Sequence, residues 1–318
     1  MTAITVLDDY QGVVLNVADW SSLGQDVEVR PIREHIEDEA ELAEQIRDSE
    51  VLVLNRERTR VGERLLAKCP SLKLLVTLGM RNPVIDTAAA KERGVTICGT
   101  RMLAHPTAEL AWGLIIGLAR AIPAADAAVR EGAWQSGPMG FDLAGATLGV
   151  VGFGRIGKAV ARIGVAFGMG VLVHSRTGTP EAAAEIGACA VAKDELLARS
   201  DVLTLHIPGG PATRGFIGAA ELLTCKPGMR IVNTSRGTVV DTSALVDALH
   251  SGLVAGAAVD VFDEEPLPSD SALRSAPNLV LTPHLGYVTQ HNYEKAFGEV
   301  IEDIAAWRSG NPIRVIEG

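Results

Sequence analysis

Along residues 1 to 100, short apolar runs alternate with charged, helix-compatible stretches: AITVLDD, EVRPI, DEAELAEQIRDS, EVLVLN, RLLAKCPSLKLLVTLG and GVTIC. Such alternation predicts βαβ units around a parallel sheet. A second alternation begins after residue 140 with ATLGVVGFG and VLVHS and continues through VLTLHIP, MRIVNTS, GAAVDVF and LVLTPH. These strands are almost continuously apolar, with Gly, Pro, Asn or Asp near their ends, as a sheet covered on both faces requires. The pattern predicts an α/β chain of two doubly wound parallel-sheet lobes. ELAWGLIIGLARAI predicts a buried helix, too short to span a bilayer. TQHNYEKAFGEVIEDIAAWRSG predicts a last helix with a glycine stop. No repeat of solenoid length and no low-complexity segment stands out.

Composition narrows the function classes. A chain of 318 residues, 47% hydrophobic and 21% charged, suits a globular α/β protein of about two domains. Its net charge of −10 argues against a nucleic-acid or anionic-membrane partner and leaves a small molecule as the expected one. Cys69, Cys98, Cys189 and Cys225 are dispersed and read as reduced, mostly packed thiols of a cytoplasmic protein. MTAITVLDDY has no basic flank or long apolar run, so no secretory signal is expected. His105, His206 and His291 show no metal-ligand spacing, and no metal is expected.

Within ATLGVVGFGRIGKAVARIGVAFGMGVLVHSRT, Gly152, Gly154 and Gly157 stand in GxGxxG spacing between a strand and an amphipathic helix. That context is what gives the motif weight. Gly152 makes the tight turn, Gly154 lets the backbone approach a pyrophosphate, and Gly157 lets helix and strand pack. Arg155 and Ile156 open the helix at whose N-terminus the phosphates would sit. At the end of the next strand, where an NAD-binding fold usually carries an acid, the chain reads HSRT. Ser175, Arg176 and Thr177 offer two hydroxyls and a guanidinium, a composition suited to the 2′-phosphate of NADP. NADP is therefore the expected cofactor, with NAD as second choice. The plain alternative is that Arg176 is a solvated surface residue.

Three later segments, VNTSRGTVVD, AAVDVFDEEPLP and LTPHLGYVT, fall at the C-terminal ends of strands, the edge where open α/β sheets bind ligands. Arg236, Glu265 and His284 are thus candidates to meet in one cleft. Singly, each residue type is more often structural or solvated. In this order, downstream of the glycine turn, they resemble the D-isomer-specific 2-hydroxyacid dehydrogenases. NPVIDTAAAKERGV, TAELAWGLIIGLAR, LAGATLGVVGFGRIGKAVA, LTLHIP, KPGMRIVNTSRGTVVDTSALVDAL, GAAVDVFDEEPLP and LVLTPHLG carry the resemblance over nearly the whole chain.

The resemblance implies a Rossmann dinucleotide-binding domain, residues 101–286, inserted in a flavodoxin-like substrate domain, residues 1–100 and 287–318. It also implies a homodimer formed through the cofactor lobe and a small 2-keto or 2-hydroxy acid as substrate, and a cleft between domains leads one to expect closure over the ligands, with hinges near residues 99 to 105 and 284 to 288. Arg236 would bind the substrate carboxylate and polarise the C2 carbonyl, tasks for a fixed cation. His284 would give a proton to the carbonyl oxygen in reduction and remove it in oxidation, which an imidazole with an ordinary pKa of ~6.5 suits. Glu265 would hydrogen-bond and orient His284, although Asp263 and Glu264 compete for that role by chemistry alone. His206, Pro208, Thr234 and Asp260 would line the cofactor, His206 on the adenosine side and Asp260 beside the nicotinamide and its ribose.

Departures from the family pattern fall near the expected substrate. The small-residue loop before the ID word is here LGMRNPVID, so Gly79, Met80 and Arg81 are substrate candidates. Arg81 either reaches into the cleft and favours a second anionic or bulkier substrate group or points to solvent. Arg56, in NRERT with Arg58, matches an arginine that borders the active site in part of the family. Tyr287 stands where a small residue is common and either narrows the pocket or packs on the last helix. The expected activity is reduction of a small 2-keto acid, glyoxylate or hydroxypyruvate first. The alternatives are a dinucleotide-sensing protein resembling the related corepressors, and the formate and phosphite dehydrogenase chemistries.

Overall fold

A computed structural model describes residues 1–176 and 178–317. The chain divides into two compact units, Met1–Leu103 with Thr289–Gly318, and Ala104–Val288.

The first unit is built on a five-stranded sheet of β1 (Thr2–Val6), β2 (Val27–Pro31), β3 (Val51–Leu54), β4 (Leu74–Thr77) and β5 (Thr96–Gly99), in the order β2-β1-β3-β4-β5. Every pairing is parallel. β3 and β4 are buried along their whole length, which is why VLVL and LLVT carry no polar alternation. Leu42, Ala43 and Ile46 of the helix Glu39–Ile46 and Leu65 and Leu66 of the helix Glu63–Lys68 pack with Leu52, Leu54 and Leu75. Asp38 starts the first of these helices by accepting from the amides of Ala40 and Glu41. The helix Gln290–Arg308, capped by Thr289, buries Tyr293, Phe297, Val300 and Ile304.

The second unit opens with the helix His105–Ala119, followed by β6 (Thr147–Val151), β7 (Gly170–His174), β8 (Cys189–Ala190), β9 (Val202–Leu205), β10 (Arg230–Asn233), β11 (Gly256–Val259) and β12 (Leu279–Leu281). The sheet order is β12-β11-β10-β9-β6-β7-β8, again all parallel. It is the doubly wound dinucleotide-binding order, and the chain reverses direction across the sheet between β6 and β9. The apolar helix His105–Ala119 is buried within its own unit. Trp112 stacks on Phe167 at 4.7 Å and donates to the Val160 carbonyl at 3.2 Å, and Ala111 and Ile115 join the cluster containing Leu148 and Val150. Full burial of side chains this size is worth about 1.5–3 kcal/mol each. No single helix among the described residues is long and apolar enough to cross a membrane. Cys69, Cys98 and Cys225 are buried and Cys189 is exposed.

Candidate active site

The glycine turn runs from the end of β6 into the helix Arg155–Ala166. A Cβ on Gly157 would stand 1.9 Å from the Gly152 carbonyl oxygen, so helix and turn approach at a distance only glycine permits. Gly152 adopts φ +93°, in the left-handed region. Among the described residues nothing lies within 4 Å of a Cβ added at Gly154, and no side chain caps the helix it opens. The first amides of that helix are thus left to an outside acceptor. Arg155 is exposed, and Ile156 packs against the unit's core.

Beyond β7, Ser175 Oγ accepts from the Gly178 amide at 3.1 Å, which closes a short loop on which Arg176 is exposed. Thr177 lies outside the described residues. At the end of β9, His206 shares a 2.9 Å hydrogen bond with Thr204 Oγ1, and burial pushes its pKa down to about 4, so the ring is neutral at physiological pH. Pro208 is exposed two residues on. Thr234, past β10, is buried, and its hydroxyl has no hydrogen-bond partner among the described residues.

The three candidate reacting groups follow β10, β11 and β12. After β10, buried Asn233 organises the turn: Oδ1 accepts from the Ser235 amide and hydroxyl at 3.0 and 2.9 Å, and Nδ2 donates to the Arg236 carbonyl at 2.9 Å. The Arg236 guanidinium donates back to the Ser235 carbonyl at 2.7 Å. The next residue, Gly237, lies against the loop after β11, where an added Cβ would meet the Phe262 carbonyl carbon at 2.1 Å and the Asp263 nitrogen at 2.3 Å. In that second loop Asp263 and Glu264 are exposed, whereas Glu265 is half-buried and uses both oxygens. Its Oε1 accepts from the Phe262 amide at 2.9 Å and its Oε2 lies 2.6 Å from His284 Nδ1. Geometry therefore separates Glu265 from its acidic neighbours. With Nδ1 engaged by the carboxylate, Nε2 is the nitrogen left to a reactant.

His284 sits at φ +53°, and its amide donates to the carbonyls of Asp260 at 2.8 Å and Thr282 at 3.0 Å. Asp260 is 0% exposed and accepts from Thr282 Oγ1 (2.6 Å), the Leu285 amide (2.7 Å) and the Gly286 amide (3.0 Å). Burial raises its pKa above the usual carboxylate value, against the lowering effect of these donors. Tyr287 is buried, and its ring centroid lies 5.5 Å from that of His284 with the planes at 85°.

In the other unit, Arg56 follows β3 at φ +64° and pairs with Glu57 at 3.4 Å. Its guanidinium occupies the space a Cβ on Gly79 would need, 2.5 Å from Nη1. Asn82 ties this corner together by donating to the Arg56 carbonyl at 2.8 Å and to Thr77 Oγ1 at 2.9 Å. Arg56 and Gly79 are thus neighbours at the C-terminal edge of β3 and β4, while Met80 and Arg81 are exposed on the same loop.

A model of the family described as D-isomer specific 2-hydroxyacid dehydrogenase, NAD binding domain, matches residues 112–286. The chain belongs to this family. It is 40% identical over 278 residues to a glyoxylate reductase of Thermococcus litoralis, covering 85% of this chain and 83% of that one. It is 38% identical to a D-3-phosphoglycerate dehydrogenase of Mycobacterium tuberculosis, covering 89% of this chain but 53% of the relative, so it spans about half that protein's length. A crystal structure of a phosphoglycerate oxidoreductase from Vibrio cholerae matches with TM-score 0.92 at 37% identity, over 98% of this chain and all of that one.

As a D-isomer specific 2-hydroxyacid dehydrogenase, the chain carries a domain that takes a nicotinamide dinucleotide. The residues present fit one: the turn at Gly152–Gly157 leaves open space and unclaimed amides where a pyrophosphate needs them. The buried hydroxyl of Thr234, without a partner among the described residues, is a polar group open to an acceptor or donor. Sequence reasoning gave Asn233 and Asn82 no role, though both hold candidate loops in place. The only trace of either in the chain is an Asn beside a motif residue.

Proposed function

We propose that this protein is an NADP(H)-preferring oxidoreductase that interconverts small 2-keto acids and D-2-hydroxy acids, with glyoxylate and hydroxypyruvate as the first substrates to test. The carrying observation is the 2.6 Å pairing of Glu265 with His284 Nδ1, at the same sheet edge as Arg236 and the glycine turn. A dinucleotide held at that turn through its pyrophosphate would supply, from its nicotinamide ring, the hydride for C2. Arg236 binds the substrate carboxylate and draws charge from the C2 carbonyl, and its own contact with Ser235 holds the guanidinium in place. His284 delivers a proton from Nε2 to the carbonyl oxygen, and Glu265 keeps the ring aimed and stabilises the imidazolium. Asp260 braces the loop that carries His284. Arg56 and the Gly79–Arg81 loop are assigned to substrate recognition, and Met80 and Arg81, being exposed, are the residues best able to adjust it.

NADP preference is supported by the absence of an acid at the end of β7 and by the exposed Arg176 there. Residues 101–286 are assigned to the cofactor domain and residues 1–100 with 287–318 to the substrate domain. A homodimer is proposed through the cofactor domain, whose helix Ile122–Arg130 buries none of its residues and is followed by Trp134 at 81% and Met139 at 94% exposure.

The test follows NADPH and NADH oxidation in parallel over a panel of 2-keto acids, in the natural protein and in Arg176→Ala. The expected result is a higher kcat/KM with NADPH and a loss of that advantage of roughly 10- to 100-fold in the variant, the worth of charge-assisted bonds to one phosphate. An equal or NADH-favouring ratio refutes the NADP assignment. Absence of turnover with both cofactors, in protein that still binds one, refutes the oxidoreductase reading and favours dinucleotide sensing.

A further inference from the structure

We propose that Tyr287 is a positioning residue that fixes the direction of His284 Nε2, a role that rests on the acid–base reading of His284 above. A single bond from Glu265 to Nδ1 fixes one edge of the imidazole, but the torsion that orients a ring of this kind has a broad minimum. The ring can still pivot about that bond unless something packs its flank. The loop provides that packing. The amides of Leu285 and Gly286 are pinned to the Asp260 carboxylate, the Gly286 carbonyl accepts from Thr107 Oγ1 at 2.8 Å, and the Val288 amide donates to the Leu285 carbonyl at 2.9 Å. The turn so formed folds the chain back on itself and sets the phenol ring of Tyr287 perpendicular to the imidazole, 5.5 Å between centroids, in the favoured edge-to-face range.

Tyr287 is only 6% exposed, so the ring is committed to the interior rather than sampling solvent. A small residue at this position leaves the Glu265 bond intact and the flank of His284 open. The imidazole is therefore held on two sides, by a carboxylate at Nδ1 and by an aromatic wall. Nε2 gains a fixed direction from which to deliver its proton, and misdirection of a reacting group is costly in rate.

Three variants, Tyr287→Phe, Tyr287→Leu and Tyr287→Ala, separate ring, volume and fold. Melting temperatures first identify the folded ones. The expected outcome is a fall in kcat of about tenfold in Tyr287→Leu, with the KM for NADPH unchanged and a larger solvent deuterium isotope effect on kcat, because proton delivery becomes slower. Tyr287→Phe, which keeps the ring, should recover most of that loss.

A second readout does not depend on turnover. In protein labelled with 15N at histidine, with signals assigned through His284→Gln, the natural chain should show one sharp His284 ring spectrum, and Tyr287→Leu a broadened or averaged one. Unchanged His284 ring signals in folded Tyr287→Leu overturn the proposal, even if no 2-keto acid is ever found to react. Unchanged kcat and isotope effect in an active enzyme overturn it as well. Sharp natural signals that broaden in Tyr287→Leu, in a protein without turnover, support the positioning contact while refuting the oxidoreductase reading.

Discussion

Replacing Glu265 by Gln is the sharpest perturbation the site offers, because it preserves size and removes one acceptor. In the natural protein the two carboxylate oxygens serve different donors, the Phe262 amide at 2.9 Å and His284 Nδ1 at 2.6 Å. An amide side chain has one oxygen and one NH2 group. If the oxygen stays on Phe262, the NH2 group faces Nδ1 and can be accommodated only when that nitrogen is unprotonated, so the imidazolium formed in the oxidation direction loses its partner. If the oxygen turns to His284, the Phe262 amide is left facing a donor. Either way one charge-assisted bond is lost. Such bonds are worth about 1.5–3 kcal/mol, so kcat/KM should fall roughly 10- to 100-fold. The assay is steady-state oxidation of NADPH with the best 2-keto acid from the panel. Asp263→Asn and Glu264→Gln, altered on the exposed part of the same loop, should stay within about twofold, in the range usual for surface changes. Natural-level kcat/KM in Glu265→Gln, or an equal loss in all three variants, would refute the assignment of Glu265 as the partner that orients His284.

Gly157→Ala places a methyl group 1.9 Å from the Gly152 carbonyl oxygen, so the helix or the turn must move at a cost of about 1–3 kcal/mol. Titration with the dinucleotide should show affinity weakened by about tenfold or more, with the KM for the 2-keto acid changed less. Asp303 is buried in the helix Gln290–Arg308 and accepts from Arg314 Nε at 2.9 Å, and burial pushes its carboxyl from 3.8 up to about 7. Between about pH 4 and 7 the folded chain holds a proton that the unfolded chain has released, so this group's contribution to stability falls as pH rises through that window. Scanning calorimetry should find the melting temperature of Asp303→Asn less sensitive to pH across the same range, and an unchanged slope would contradict the assignment.

Both sheets were legible because each buried strand carries its own run of aliphatic residues, and the order of glycine turn, Arg236, Glu265 and His284 was legible through the resemblance to a family. The selection of Glu265 over Asp263 and Glu264 is different. Three acidic positions in one loop have no periodicity; the family resemblance singled out Glu265, and the loop's path supplies the physical reason by turning it inward while leaving two in solvent. Two alternatives stood open for Tyr287, the substrate pocket and the last helix. The local turn adds a contact neither included, with the imidazole three residues earlier. Asp260, expected beside the nicotinamide, has both oxygens bonded to the loop that carries His284, an arrangement set by backbone amides that no side-chain pattern records. For Arg56 the loop conformation decides: a left-handed backbone folds the side chain onto Gly79, whereas Arg81 nearby stays exposed.

The close contact at Gly237 has an evolutionary consequence. Since even one methyl group there would collide with the backbone of Phe262 and Asp263, the loop bearing Arg236 and the loop bearing Glu265 cannot shift separately at this point. A change in one of these loops must therefore be matched by a change in the other. Met80 and Arg81, by contrast, are exposed on a loop that takes no part in this contact.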